Sequence, residues 1–133
     1  MKGFFDENGR PKVMFTIEGS RKSGEIIALF DTGFSASLAL PPQYLVELGS
    51  ELVGVEPMTY ADGRTSNELL FSVKIHTDGE SKVITAHLIS GAMEPIAGVQ
   101  LFSPYIVLLN FEEKTLGLLR KEDLGKMRQE EVL

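Results

Sequence analysis

Asp31, Thr32 and Gly33 stand in a row where a carboxylate, a hydroxyl and a glycine can together make a site. The apolar run Ile26–Phe30 leads into them, and a second run of small and apolar residues, Phe34 to Leu40, follows. A carboxylate set between two buried strands costs free energy unless something holds it or uses it. Gly33 permits a positive φ or a close backbone approach. A turn accounts for the same three residues, because Asp accepts local N–H bonds and Gly takes unusual dihedrals. Other chemistry is scarce. The chain has no cysteine, which excludes disulfides, thiolate metal sites and cysteine nucleophiles. His76 and His87 lie on neighbouring predicted strands with Asp78 nearby, but no third convincing ligand joins them. They read as solvent-facing strand histidines, and neither a metal nor a cofactor is expected. Ser35 lacks the Gly-x-Ser-x-Gly setting of a serine hydrolase.

The elements that would carry the tripeptide follow from periodicity. Val13, Phe15 and Ile17 alternate with Met14, Thr16 and Glu18, which predicts a strand. The polar stretch Gly19 to Gly24 turns it into a second strand, Glu25 to Phe30, so a hairpin ends at Asp31. Ala36, Leu38 and Leu40 predict one side of a short strand. Pro42 then opens a short helix that Gly49 closes. Val53 to Tyr60 and Thr65 to Ile75 flank Ala61-Asp62-Gly63-Arg64, a hairpin signal with a polar tip and an apolar base. A second Asp-Gly turn at Asp78-Gly79 leads to a strand over Lys82 to Ile89. Pro95 to Gly98 precedes a short helical or irregular piece, and Ile106 to Phe111 reads as a buried strand that turns back into Leu116 to Leu119. Roughly eight short strands with one or two short helices predict an all-β barrel or sandwich.

Bulk properties narrow the function. With 133 residues, 43% hydrophobic and 24% charged, the expectation is one domain over 1–133, with a core at about 12–119. The remainder, 120–133, is a charged tail whose acids precede its bases. That order suits a marginal helix, weakened by Gly125 and able to pack only through Leu124, Met127, Val132 and Leu133, or else a frayed surface appendage. A net charge of −6 with no basic cluster longer than Arg120-Lys121 disfavours nucleic acid as a partner. The first residues turn acidic without an apolar signal-peptide core, and no stretch approaches the length of a membrane span. A soluble cytoplasmic protein without membrane contact is expected.

The ordered set of motifs resembles the retroviral-type aspartic proteases, with a retropepsin-like closed barrel of short antiparallel strands. Four features carry the resemblance across Lys12 to Phe111: the hairpin ending in Asp31-Thr32-Gly33, the projecting hairpin around Asp62-Gly63, the signature Ile96-Ala97-Gly98, and the stretch from Gly98 to Leu109-Asn110-Phe111. Asp31 to Phe34 followed by Leu40-Pro41-Pro42 is similar to the small bacterial and archaeal members.

The resemblance implies an aspartic endopeptidase with Asp31, Thr32 and Gly33 as its catalytic motif. Such chemistry needs two carboxylates, and the chain has one Asp-Thr-Gly, so a two-fold homodimer must bring Asp31 against its own mate. Thr32 would bond across the dimer and Gly33 would let backbone approach the substrate. Phe34, Ser35 and Ala36 would line the cleft, with Tyr60, Asp62 and Gly63 above a peptide or protein substrate. Ile96 and Met93 would wall its far side, while Ala97 and Gly98 would sit under the catalytic loop. Tyr60 resembles the flap tyrosine of pepsin-like enzymes, although a cross-strand packing role explains it too. The chain departs from the retroviral pattern in its bulky Phe34, its single glycine at the hairpin tip, and a further hairpin and tail after Phe111. The competing reading from another class is a non-catalytic module that uses the same fold to bind a peptide or partner.

Overall fold

A computed structural model describes residues 1–123, and the tail residues 124–133, most of the stretch expected as a marginal helix over 120–133, lie outside them. The described chain is all-β, with ten strands, one α-helix and one 3-10 turn. β2 (Pro11–Glu18) and β3 (Ser23–Phe30) form the first hairpin, and Val13 and Phe15 of β2 pair with Ala28 and Ile26 of β3. All four of these side chains are buried. Ahead of them runs β1 (Lys2–Phe5), paired with β2 from Lys2↔Met14 to Phe5↔Pro11. Its four residues are too few for a periodic signal, and the paired region therefore begins well before the expected boundary near Lys12.

α1 (Pro42–Leu48) forms where expected. Proline fills its first turn, and Gly49 ends it in the left-handed region with φ 67°. β5 (Glu51–Thr59) and β6 (Thr65–Thr77) make the projecting hairpin, and β7 (Glu80–Leu88) follows the Asp78-Gly79 turn. Both turn residues have positive φ, 52° and 78°, the two-residue geometry that matches strand twist. β4 (Leu38–Leu40) is shorter than expected and starts after Ala36, whose carbonyl is taken by the Gln100 N–H instead. Its three residues are all buried because β4 lies inside the sheet between β7 and β8 (Ile96–Ala97).

The large sheet has the order β1-β2-β3-β8-β4-β7-β6-β5, with a further pairing of β2 to β6. The pairings return on themselves where Thr16 to Glu18 meet Lys74 to His76, but the circuit is uneven: β8 supplies two residues and β4 three, against thirteen in β6. The expectation of purely antiparallel, short strands is corrected here. β3 with β8 and β4 with β7 are parallel, because the chain leaves β3, crosses over, and later threads β8 between β3 and β4. The core collects Val13, Phe15 and Ile17 with Leu38 and Leu40, facing Val73 and Ile75 of β6 and Leu101 of the 3-10 turn Val99–Phe102.

β9 (Ile106–Asn110) and β10 (Thr115–Leu119) form a separate two-stranded sheet. β9 is not the buried strand expected: Leu108 is 46% exposed, and Phe111 just beyond it 64%. β9 pairs only with β10 among the described residues, so its alternate side chains face outward. β10 lies across β1, where a side chain at Gly3 would meet the Leu116 carbonyl at 2.7 Å. Among the described residues no helix is long and apolar enough to cross a membrane.

Two charge clusters tie these layers together. Lys12, almost buried, bonds Glu94, which also takes Arg10. The bond from Lys12, and then that from Arg10, holds Glu94 below its usual carboxylate range. Asp78 is the second hub. It accepts from the Tyr105 hydroxyl, from Arg120 at 3.1 Å and from the Met1 ammonium at 3.1 Å. Arg120 also lies over the Tyr105 ring, 4.5 Å from its centroid. Asp78, foremost through the Tyr105 bond, is held at about 2. A carboxylate depressed in the fold stabilises it above the unfolded value of 3.8 and loses that contribution as pH falls through about 2. Asp78→Asn should lower the melting temperature at neutral pH, and the gap to the parent should close as pH drops from about 4 to about 2. A thermal-melt series over pH checks this, and a gap independent of pH over that range contradicts it.

Candidate functional site

β3 delivers Asp31 to the rim of the sheet, and β8 fixes it there. The Asp31 N–H donates to the Ala97 carbonyl at 3.0 Å, and the loop that follows is bonded back to the same segment. Gly98 N–H donates to Ser37 O at 2.9 Å, Val99 N–H to Phe34 O at 3.0 Å, and Gln100 N–H to Ala36 O at 3.3 Å. Ala97 and Gly98 thus sit under the loop, as expected. Gly98 explains the close approach: a Cβ there would lie 2.6 Å from both the Phe34 carbonyl oxygen and the Phe34 ring, and closer still to the Ala36 carbonyl.

The carboxylate itself is half-buried, not buried as its apolar flanks implied, and Thr32 and Gly33 are exposed. Gly33 N–H donates to Asp31 Oδ1 at 2.8 Å, and Phe34 N–H to the Asp31 carbonyl at 3.2 Å. This is an Asx turn. Gly33 does not take a positive φ; its small size matters because a Cβ would lie 3.1 Å from Asp31 Oδ1. Asp31 Oδ2 accepts no hydrogen bond among the described residues. One carboxylate is therefore oriented, with a free oxygen, on a surface that is open at Thr32 and Gly33.

Beside this loop lies a cavity of about 330 Å³. Ser35, Ala36 and Ser37 form one wall, and Glu56 and Met58 of β5 with Leu70 of β6 form the wall under the projecting hairpin. His87 and Thr85 of β7 close its back. The hairpin thus stands over the segment that follows the tripeptide. A larger concavity of about 560 Å³ on the β9–β10 sheet is lined by Leu108 to Phe111 and Thr115 to Gly117, with no ionisable side chain among them.

The expected cleft residues separate into groups. Ser35 and Ala36 line the cavity. Phe34 does not; it packs under Gly98 and edge-on to His87, with ring centroids 5.7 Å apart. Ile96 is half-buried in β8, paired with Leu29 and Ala39, and Met93 is 93% exposed and walls nothing. Tyr60, Asp62 and Gly63 are at the exposed hairpin tip. Asp62 is spent on its own turn, bonding Arg64 N–H at 3.0 Å and Arg64 Nε at 2.6 Å. The Tyr60 hydroxyl donates to Glu68, and this bond pushes its pKa up.

The two histidines are not equivalent, and they do not form a pair. His76 bonds Glu18 at 2.9 Å and Ser81 at 2.6 Å. His87 is only 5% exposed, which corrects its reading as a solvent-facing residue. It pairs with Leu70 on one side and Ala39 on the other, inside the sheet. Its Nε2 stands 3.7 Å from Glu56, and its Nδ1 has no partner. Among the described residues no group of three His, Asp or Glu side chains gathers as a metal site.

Glu56 and Glu68 were not singled out by sequence reasoning, and His87 was weighed only as a surface histidine. Register would have found the first two: counting back from the Ala61–Arg64 turn puts Glu56 opposite Glu68. Compared with protein-family models and with curated proteins, the chain finds no match.

The close contact at Gly98 is testable. Gly98→Ala should destabilise the fold by about 1–3 kcal/mol and loosen the Asp31 loop. Denaturant midpoints and amide exchange at Val99 and Gln100 check this. Unchanged stability and protection contradict the packing described.

Proposed function

We propose that the protein is an aspartic endopeptidase with a retropepsin-like closed barrel, whose active site is completed by a second copy of the chain. The observation that carries this reading is the Asp31 loop. An oriented carboxylate is held by the inserted Ala97-Gly98 segment, with a cavity beside it and a hairpin above the cavity. The exposure of Thr32 and Gly33 supports a partner on that side.

One carboxylate cannot perform the chemistry alone. Hydrolysis of a peptide needs a base to take a proton from water and an acid to polarise the carbonyl. Two carboxylates about 3 Å apart share one proton, since both cannot ionise there. In the dimer the ionised Asp31 removes a proton from water as its oxygen bonds to the carbonyl carbon. The protonated Asp31 of the other copy gives its proton to the carbonyl oxygen. As the resulting diol collapses and its C–N bond breaks, the Asp31 that took the water proton gives it to the leaving nitrogen, and a diol hydroxyl returns its proton to the other Asp31, leaving an acid and an amine. No metal or cofactor enters. The Asx bond from Gly33 N–H to Oδ1 keeps the carboxylate plane fixed while Oδ2 handles the proton.

The test is digestion of a mixed-peptide pool by the parent and by Asp31→Asn at several pH values. The expected outcome is cleavage by the parent and loss of at least about a thousandfold in rate for the variant, whose fold and assembly stay intact. Equal cleavage by both overturns the role of Asp31. No cleavage by either, with peptides retained, would instead mark a peptide-binding module.

A further inference from the structure

The wall of the cavity under the hairpin carries one carboxylate, Glu56, which no Lys or Arg meets among the described residues. Glu56 lines the cavity, and Glu68 stands directly across from it in the β5–β6 ladder, so both project from the same face. Like charges directly opposite each other destabilise a sheet. Glu68 is also almost buried, accepting only the Tyr60 hydroxyl. Among the described residues neither glutamate meets a Lys or Arg. The nearest charged candidate is His87 Nε2, 3.7 Å from Glu56. His87, nine-tenths buried, lines the same cavity with its Nδ1 unpartnered. The Lys and Arg side chains that do form ion pairs among the described residues, Arg10, Lys12, Arg64 and Arg120, meet other carboxylates.

The remaining walls set the shape of what fits. Met58, Leu70 and Ile84 offer an apolar lining, and Ser35 and Ser37 offer hydroxyls on the Asp31 side. An apolar stem ending in a cation matches this combination. We propose that the cavity is a subsite for a lysine or arginine side chain of the bound peptide, with Glu56 receiving the cationic head and Glu68 adding to the field. This rests on the reading of the cleft as peptide-binding, but not on the chain being catalytic.

The test uses a randomised octapeptide library, captured on immobilised Asp31→Asn protein and sequenced by mass spectrometry. Lys and Arg should be enriched at one position about tenfold over leucine, in line with a charge-assisted bond. Glu56→Gln should abolish the enrichment, and Glu56→Lys should turn it toward Asp and Glu. Enrichment of apolar residues at every position, or a basic preference that survives Glu56→Gln, overturns the proposal. Failure to retain any peptide overturns it as well. Digestion of the same library by the parent reports separately on the peptidase reading, which stands if cleavage occurs without a basic preference.

Discussion

The site depends on one insertion. Ile96-Ala97 enters between β3 and β4, and four backbone hydrogen bonds join Ala97 to Gln100 with the loop spanning Asp31 to Ser37. A loop of that length on an open edge would sample many conformations, and each fixed residue costs about 1–2 kcal/mol of backbone entropy. The bonds offset this by leaving few unpaired polar groups in the loop, and the missing Cβ of Gly98 lets the two backbones approach closely enough to form them. The parallel pairings of β3 with β8 and β4 with β7 are the topological consequence. The Asp31 carboxylate inherits its orientation from this arrangement and not from any side-chain partner.

Charge is distributed by the same logic. Where ions hold the fold they are paired: Lys12 is nearly buried, and burial of an ammonium is tolerable only because Glu94 meets it. That pair anchors the approach to Pro95 and hence to Ala97. Asp78 fastens the start of the chain, the β6–β7 turn and the end of β10 at one point. Under the hairpin the pattern reverses, and Glu56 and Glu68 face each other with no Lys or Arg meeting either among the described residues. Of this pair Glu56 lines the cavity beside the Asp31 loop.

Much of this was legible from residue patterns. Asp-Gly at Asp62-Gly63 and Asp78-Gly79, proline at Pro42 and glycine at Gly49 fixed the turns and the helix, because those positions depend on local dihedrals. The hairpin ending at Asp31 also emerged from sequence order, while the place of Ala97-Gly98 beneath its loop came from the family resemblance. What stayed hidden depends on distant partners. β1 has only four residues, and β4 begins after Ala36 because a carbonyl is diverted to Gln100. β9 looked buried from its composition, but among the described residues it pairs only with β10, and Leu108 lies outside. His87 looked like a surface residue because strand histidines commonly face solvent; its burial comes from Leu70 and Ala39 on adjacent strands. Phe34 turned under Gly98 for a similar reason, since the space beneath a glycine is invisible in one dimension.

The central claim is that one site is made by two chains, each giving one Asp31. Subunit mixing tests it most directly. Parent and Asp31→Asn chains are combined at fixed total concentration, allowed to exchange, and assayed for peptide cleavage across the mixing ratio. A shared site requires two parent chains, so activity should fall as the square of the parent fraction. A linear fall would mean that each chain works alone, and would contradict the account.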